Sequence, residues 1–377
     1  MMKIQAINKE LLPAFLLLFM TFLAIVLKNS SFSEFYDASL NARASVSFLD
    51  YSLSKPLFLW VNDGLIAIFF FWIGLEVKKE ILCGELDTNK KRILPVAGAI
   101  GGILVPAIIY MLFNFYDSYK LSGFAIPTGT DTAFAVAILL ILRKYVPNSV
   151  RVFLLSLAIF DDIAAIIIIA IFYTNELLYI SLVLASIGVF VLLLLNFFHC
   201  TYKMFYLITG AFIWVCVLES GVHTTLAGML CAFFIPLKTK DNKEFLEKIM
   251  HDLTPYVNYA ILPIFALFNA GVLLDFSLGN LNSVFFGIFF GLFLGKQLGV
   301  FGFCLLANKF GATLPSSKKI LYGASILTGI GFTMSFFINT LVFEGNADIF
   351  NSAKLAVLSA SCCSAIFGFL YLRFKAA

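Results

Sequence analysis

Long apolar runs separated by short polar stretches set the pattern of this chain. Residues 11–27, 93–113, 152–172 and 177–197 are each close to the roughly 20 residues needed to cross hydrocarbon. Twelve such spans are expected, at about 11–27, 57–75, 93–113, 122–142, 152–172, 177–197, 204–219, 222–237, 256–274, 284–307, 320–343 and 353–372. The runs lack the alternation of a membrane barrel, and lipid satisfies no backbone hydrogen bonds, so each run is read as a helix. The pattern predicts an all-α membrane protein of about twelve transmembrane helices, with the 377 residues forming one membrane unit. Two loops are long. Residues 28–55 are rich in Ser and Asn, and residues 238–255 are charged. The apolar spacing of Phe245, Leu246 and Ile249 predicts a short surface helix or an inward extension of span 9.

Composition supports this picture, because 61% of residues are hydrophobic and only 13% charged, against about 25% charged in soluble domains. The net charge of +4 becomes informative once its residues are located. One set of alternate loops holds only Lys28, Arg43, Lys55, Lys120 and Lys354, and Lys296 lies inside span 10. The rest of the 26 basic residues fall on the other side, among them Lys78, Lys79, Lys91 and Arg92, then Lys238, Lys240, Lys243 and Lys248. The positive-inside rule then puts both termini in the cytoplasm, which requires an even number of spans. These are not nucleic-acid patches. No small-x-small cleavage site follows Val26-Leu27-Lys28, so the first run is read as span 1. The seven cysteines lie mostly within spans, show neither metal spacing nor a disulfide framework, and are read as inert buried thiols.

An internal echo recurs at an offset of 200 residues. Thr128-Gly129 in span 4 matches Thr328-Gly329 in span 11, and Gly102 in span 3 matches Gly302 in span 10. Spans 4 and 11 have opposite topologies, so the echo suggests inverted repeats, roughly 93–172 and 284–372, with the remaining spans forming an interface part. Both matched segments, Pro127-Thr128-Gly129-Thr130-Asp131 and Thr328-Gly329-Ile330-Gly331, contain helix breakers inside apolar runs. Interrupted helices in corresponding positions mark the binding site of many secondary transporters. For span 11, tight glycine packing without a break is the competing explanation.

Ionisable residues at mid-span carry the functional signal. Asp161 and Asp162 sit at the centre of span 5, Asp131 near that of span 4, and Lys296 near that of span 10. Each such charge costs roughly 2.5–3.5 kcal/mol on insertion scales, so the four oppose insertion by about 10–14 kcal/mol. Adjacent residues on a helix point about 100° apart, so Asp161 and Asp162 cannot face one ligand equally. Either can face an ion while the other meets a different partner, for which Lys296 is the only midplane cation. Asp131 follows a Pro/Gly break and so can open a half-helix, where free N–H groups and the dipole favour a carboxylate. Thr130 and unwound carbonyls would add neutral oxygens. Such a set suits Na+ or Li+, and equally protons. Burial favours the protonated form of a carboxylate and a nearby ammonium the ionised form, so protons and a metal cation compete for the site. With alternating access, that competition suffices for antiport. No covalent chemistry and no cofactor are expected.

At these residues the chain resembles the NhaA family of bacterial sodium/proton antiporters, nearly end to end. The strings are Asn62-Asp63-Gly64-Leu65 leading into Gly74-Leu75-Glu76-Val77-Lys78-Lys79-Glu80, Thr130-Asp131-Thr132-Ala133-Phe134-Ala135, Asp161-Asp162, Gly221-Val222-His223-Thr224-Thr225-Leu226-Ala227-Gly228, Leu262-Pro263-Ile264-Phe265-Ala266 with Asn269-Ala270-Gly271-Val272, Gly295-Lys296, and Gly329-Ile330-Gly331-Phe332-Thr333-Met334-Ser335. The resemblance implies that Asp161 and Asp162 form the ion site, with Asp162 the principal sodium ligand. It implies that Asp131 and Thr130 lie where two broken helices cross, and that Lys296 pairs with Asp161 or balances helix ends. It further implies electrogenic exchange driven by the proton gradient, activation at alkaline pH, and a homodimer in the bacterial inner membrane. Residues 28–55 would correspond to the family's dimer-contact hairpin, although their Ser-rich sequence is a weak hairpin signal.

Asp63, Glu76, Lys79 and Glu80 resemble the family's cytoplasmic funnel and pH-response cluster. For Lys79 and Glu80 a solvated loop edge is the competing explanation. His223 is a candidate switch, since an ordinary His titrates near 6.5, set against a hydrogen-bonding role at the start of span 8. His251 stands where the family has charged and His residues, but Met250 and Thr254 replace two polar partners, which bears on the pH response rather than on transport. An intramembrane aspartyl protease would need a Gly-x-Gly-Asp string that Gly129-Thr130-Asp131 does not supply. A cation channel or a sodium-coupled symporter on the same scaffold is the other alternative.

Overall fold

The computed structural model describes residues 2–48, 51–84, 89–174, 177–239, 244–276 and 281–375. Lys240 and Lys243 of the inner-loop expectation fall outside the described residues. The chain is a multi-pass helical membrane protein. Among the described residues, eight helices are long and apolar enough to cross a membrane, and a ninth candidate is the pair Lys318–Leu327 and Phe332–Phe343, bent by 43° at a break. Of the remaining expected spans, 204–219 is covered by the shorter apolar helix Lys203–Leu218. Span 222–237 holds Thr225–Phe233, and span 256–274 holds Val257–Ile261 and Leu262–Asn269. Helices Leu11–Lys28 and Tyr179–Phe197 expose rows of large apolar side chains, including Phe15, Phe19 and Phe22 in one and Ile180, Ile187 and Phe190 in the other. Water would penalise such faces and lipid does not.

The chain divides into two compact units. The first comprises Met1–Phe19, Glu85–Ala165 and Val272–Ala377. Its helices pack at very small separations. A Cβ on Gly101 would run into the Gly299 carbonyl and one on Gly299 into the Gly101 carbonyl, so helices Asn89–Asn114 and Lys296–Lys309 touch backbone to backbone. Close approach through small residues is the usual route to helix association in lipid, where no hydrophobic drive exists between helices. Leu94, Phe153, Leu157, Val300, Cys304 and Leu321 form a buried apolar cluster in this unit.

The second unit comprises Met20–Gly84 and Ile166–Gly271. Its long Ser-rich loop after span 1 holds local structure. Helix Ser33–Asn41 precedes an antiparallel hairpin pairing Arg43–Phe48 with Tyr51–Pro56. The sequence carried little sign of it, because the loop lacks an Asn-Gly or Asp-Gly turn and its strands are Ser-rich. Helices Ile66–Cys83 and Thr225–Phe233 are in close contact, since a Cβ on Gly228 would strike the Ala67 carbonyl. The inner segment forms helix Phe245–Tyr256, which continues through a π-turn at Val257–Ile261 into Leu262–Asn269. Phe245, Leu246 and Ile249 are its buried face, so it is an extension of span 9 and not an isolated surface helix. The expectation of uniformly buried thiols needs correction. Cys216, Cys231 and Cys304 are buried, but Cys362 and Cys83, the last residue of helix Ile66–Cys83, are exposed; all seven are free.

Candidate ion-binding site

The site is built on a break in each of two helices of the first unit. After helix Ser118–Leu121 the chain tightens into a 3-10 stretch, Ser122–Thr128, and then runs extended through Gly129 before helix Thr132–Ile141 begins. Pro127 lacks an N–H and disfavours α geometry in the residue before it, so the regular ladder stops there. The second break falls between Lys318–Leu327 and Phe332–Phe343. The competing expectation of an unbroken span 11 is thereby excluded. Backbone groups freed in lipid must find partners inside the protein, and the two breaks supply each other. Asp131 N–H donates to the Ile330 carbonyl at 2.6 Å. A Cβ on Gly129 would lie 2.8 Å from Met334 Cβ, so glycine at 129 is what permits the approach.

Asp131 caps two helices at once. Its Oδ1 accepts from Phe134 N–H at 3.4 Å, at the start of Thr132–Ile141. Its Oδ2 accepts from Thr333 N–H at 3.1 Å and from Thr333 Oγ1 at 2.6 Å, at the start of Phe332–Phe343. Two positive dipole ends thus meet one carboxylate. Thr130 Oγ1 lies 2.7 Å from Asp161 Oδ2 and 3.1 Å from the Thr328 carbonyl. A hydroxyl has one proton to give, and the shorter, charge-assisted contact takes it.

Lys296 and Asp161 form the buried ion pair of the site, with Nζ to Oδ2 at 2.8 Å and side-chain exposures of 0% and 2%. Lys296 follows directly on a π-turn, Gly291–Gly295, the kind of local widening that often marks functional positions. Asp161 Oδ2 therefore carries both the ammonium and the Thr130 hydroxyl. The other oxygen, Oδ1, is buried with no hydrogen-bond partner among the described residues. A buried, unsatisfied carboxylate oxygen is costly and calls for an explanation, and its free lone pairs are what a cation or proton would take. Asp162 is half-buried on the adjacent face. The structure brings Asp161, Asp131, Thr130 and Lys296 together, and adds Thr333 and the Thr328 carbonyl. Thr333 stood within a quoted motif without a role. Its signal was a hydroxyl two residues after a Gly-x-Gly break.

The remaining candidates lie in the second unit. Asp63 sits in a π-turn, Val61–Leu65, and pairs with Lys55 at 2.9 Å. Its carbonyl accepts from Trp214 Nε1 and from Thr224 Oγ1, both at 2.9 Å. His223 Nδ1 is 3.0 Å from Thr225 Oγ1 at the entry to helix Thr225–Phe233, after a turn in which Gly221 adopts φ 80°. Such a φ favours glycine. At the C-terminal end of Ile66–Cys83, Glu76 and Glu80 are half-buried, and Lys79 pairs with Glu247 at 2.5 Å. His251 is exposed. In this inner segment a hydrogen bond from Glu244, together with Lys79, holds the Glu247 carboxyl below the usual range. The same bond pushes Glu244 up. Lys203 lowers Asp252 by hydrogen bonding to it. Sequence reasoning missed Glu247, and also Lys78, whose Nζ donates to the Phe233 and Ile235 carbonyls at 2.6 Å each. Both contacts join segments far apart in the chain, so no local pattern announces them.

The profile described as Na+/H+ antiporter 1 matches residues 4–372. A protein of Campylobacter jejuni subsp. jejuni named Na(+)/H(+) antiporter NhaA 1 is 52% identical over 368 residues, covering 96% of this chain and 94% of the relative. A protein of Campylobacter jejuni subsp. doylei named Na(+)/H(+) antiporter NhaA 2 is 50% identical over 379 residues, covering 99% of each. With a profile match over nearly its whole length and relatives at half identity end to end, the chain belongs to the Na+/H+ antiporter 1 family.

Proposed function

We propose that this protein exchanges Na+, or Li+, for H+ across the bacterial inner membrane by alternating access, as a secondary transporter without covalent chemistry. The observation that carries the proposal is the Asp161 carboxylate, sealed from water on Lys296 and Thr130 with one oxygen left open. In the cation-free state the Lys296 ammonium balances Asp161. Arriving Na+ takes carboxylate oxygens of Asp162 and Asp161, with Asp162 the principal ligand and Thr130 adding a neutral oxygen. Protons arriving from the other side displace it, because a cation and protons on the same carboxylates exclude each other. Asp131 holds the two half-helix ends, and the two interrupted helices cross there as counterparts in inverted repeats of about 93–172 and 284–372. The remaining spans supply the interface of a homodimer, with the hairpin as its contact. Both termini lie in the cytoplasm. Exchange is electrogenic and driven by the proton gradient. Asp63, Glu76, Lys79, Glu80, His223 and His251 serve cation entry and the response to pH.

The test is exchange in liposomes holding the purified protein. A Na+ pulse alters lumenal pH in the direction set by the gradients, and Asp162→Asn abolishes the change while the protein still elutes and melts as a folded species. Sodium flux without coupled protons would make the protein a channel, and normal proton flux in Asp162→Asn would remove that residue from the site.

A further inference from the structure

The N-terminus of helix Phe332–Phe343 lies at the break of span 11, and its N-cap position is Gly331, which has no side chain with which to cap. A larger residue does not fit there, since a Cβ on Gly331 would lie 2.8 Å from Leu292 Cδ2. A helix that begins inside lipid cannot leave its first N–H groups unpaired. They are taken from outside the helix. Thr333 N–H goes to Asp131 at 3.1 Å, and Gly331 N–H and Phe332 N–H both go to Ser361 Oγ at 3.3 Å. Ser361 belongs to helix Ala347–Lys375 and is buried.

We infer that Ser361 is a positioning residue of the ion site, acting as the N-cap that helix Phe332–Phe343 cannot provide for itself. One hydroxyl oxygen covers the two N–H groups that form, with Thr333, the positive end facing Asp131. Asp131 is joined through Thr130 to Asp161, so the same cap fixes the backbone on which the cation oxygens are arranged. Removing the oxygen uncovers two N–H groups and strengthens the positive potential at the carboxylates, which weakens cation binding. The inference rests on the exchange proposed above.

The test uses full-length protein in liposomes, with apparent KM for Na+ and maximal rate measured separately at a pH alkaline enough that protons no longer compete. Ser361→Ala raises KM for Na+ on the order of tenfold, the scale of two long buried hydrogen bonds lost together. Ser361→Thr, which keeps the hydroxyl, restores the KM of the original protein. Ser364→Ala is the control, because Ser364 is equally buried and its Oγ has no hydrogen-bond partner among the described residues; it leaves KM in place. Ser361→Cys, of the same size with a weaker acceptor, falls between and serves where the alanine variant does not fold. An unchanged KM in folded Ser361→Ala, or an equal shift in Ser364→Ala, would overturn the inference. Absence of exchange in the original protein would instead overturn the function, which keeps the two failures apart.

Discussion

At the scale of single residues, the site is a problem in satisfying charge where water is absent. Lys296 and Asp161 are tolerated because they pair, and removing one strands the other. Lys296→Ala is therefore expected to lower stability by about 3–5 kcal/mol, the cost of an uncompensated buried charge. Lys309→Ala, at an exposed helix end, should stay within about 0.5 kcal/mol. Melting in detergent checks both, and an unchanged transition in Lys296→Ala would contradict the pairing. The mid-span acids and the lysine were legible in the sequence, because a charge inside an apolar run has no ordinary excuse. The choice of Asp161 as the partner of Lys296 did not follow from residue spacing and came only from the resemblance, as one of two roles for the lysine. Adjacent acids point about 100° apart, but which of them faces Lys296 depends on how two helices far apart in the chain are rotated.

At the scale of elements, breaks and close approaches do the positioning. The Gly101–Gly299 contact holds the lysine-bearing helix against Asn89–Asn114. Gly299→Ala would force the two backbones apart, at about 1–3 kcal/mol as for other overpacked sites. A lowered melting temperature is expected, and an undisturbed one would mean the helices have slack. The Pro127 to Asp131 break was legible from its residues. Span 11 was ambiguous, because Thr328-Gly329-Ile330-Gly331 reads equally well as a packing motif, and only the bend between its two helices, with the Asp131 N–H to Ile330 carbonyl bond at the break, decides it. The outer hairpin was poorly legible because its pairing does not use the usual turn residues. Outside the spans, the Lys79–Glu247 pair yields a pH prediction. Glu247 is held below its ordinary value, so the contribution of the pair is present above that value and is lost only as pH falls through the lowered one. As a largely exposed pair it is worth at most about 1 kcal/mol. Glu247→Gln should therefore shift melting by a small, constant amount from neutral to alkaline pH, with the difference closing only in acid. A difference that opens or closes near neutrality would contradict this.

At the scale of the whole molecule, composition and run length gave the membrane class, and the spacing of basic residues gave an orientation. Each of the two compact units is assembled from stretches that interleave along the chain. The first unit holds every mid-span charge of the proposed ion site, and the second holds the outer hairpin and the half-buried acids of the inner end. The account stands on one claim, that metal cation and protons contend for the same buried carboxylates. Calorimetry of Na+ binding to the purified protein, repeated in buffers of different ionisation enthalpy and over a range of pH, tests it most directly. The account predicts that Na+ uptake displaces protons, that apparent affinity rises with pH until the carboxylates are bare, and that Asp162→Asn loses both effects. Sodium binding of constant affinity across pH, with no protons released, would contradict it.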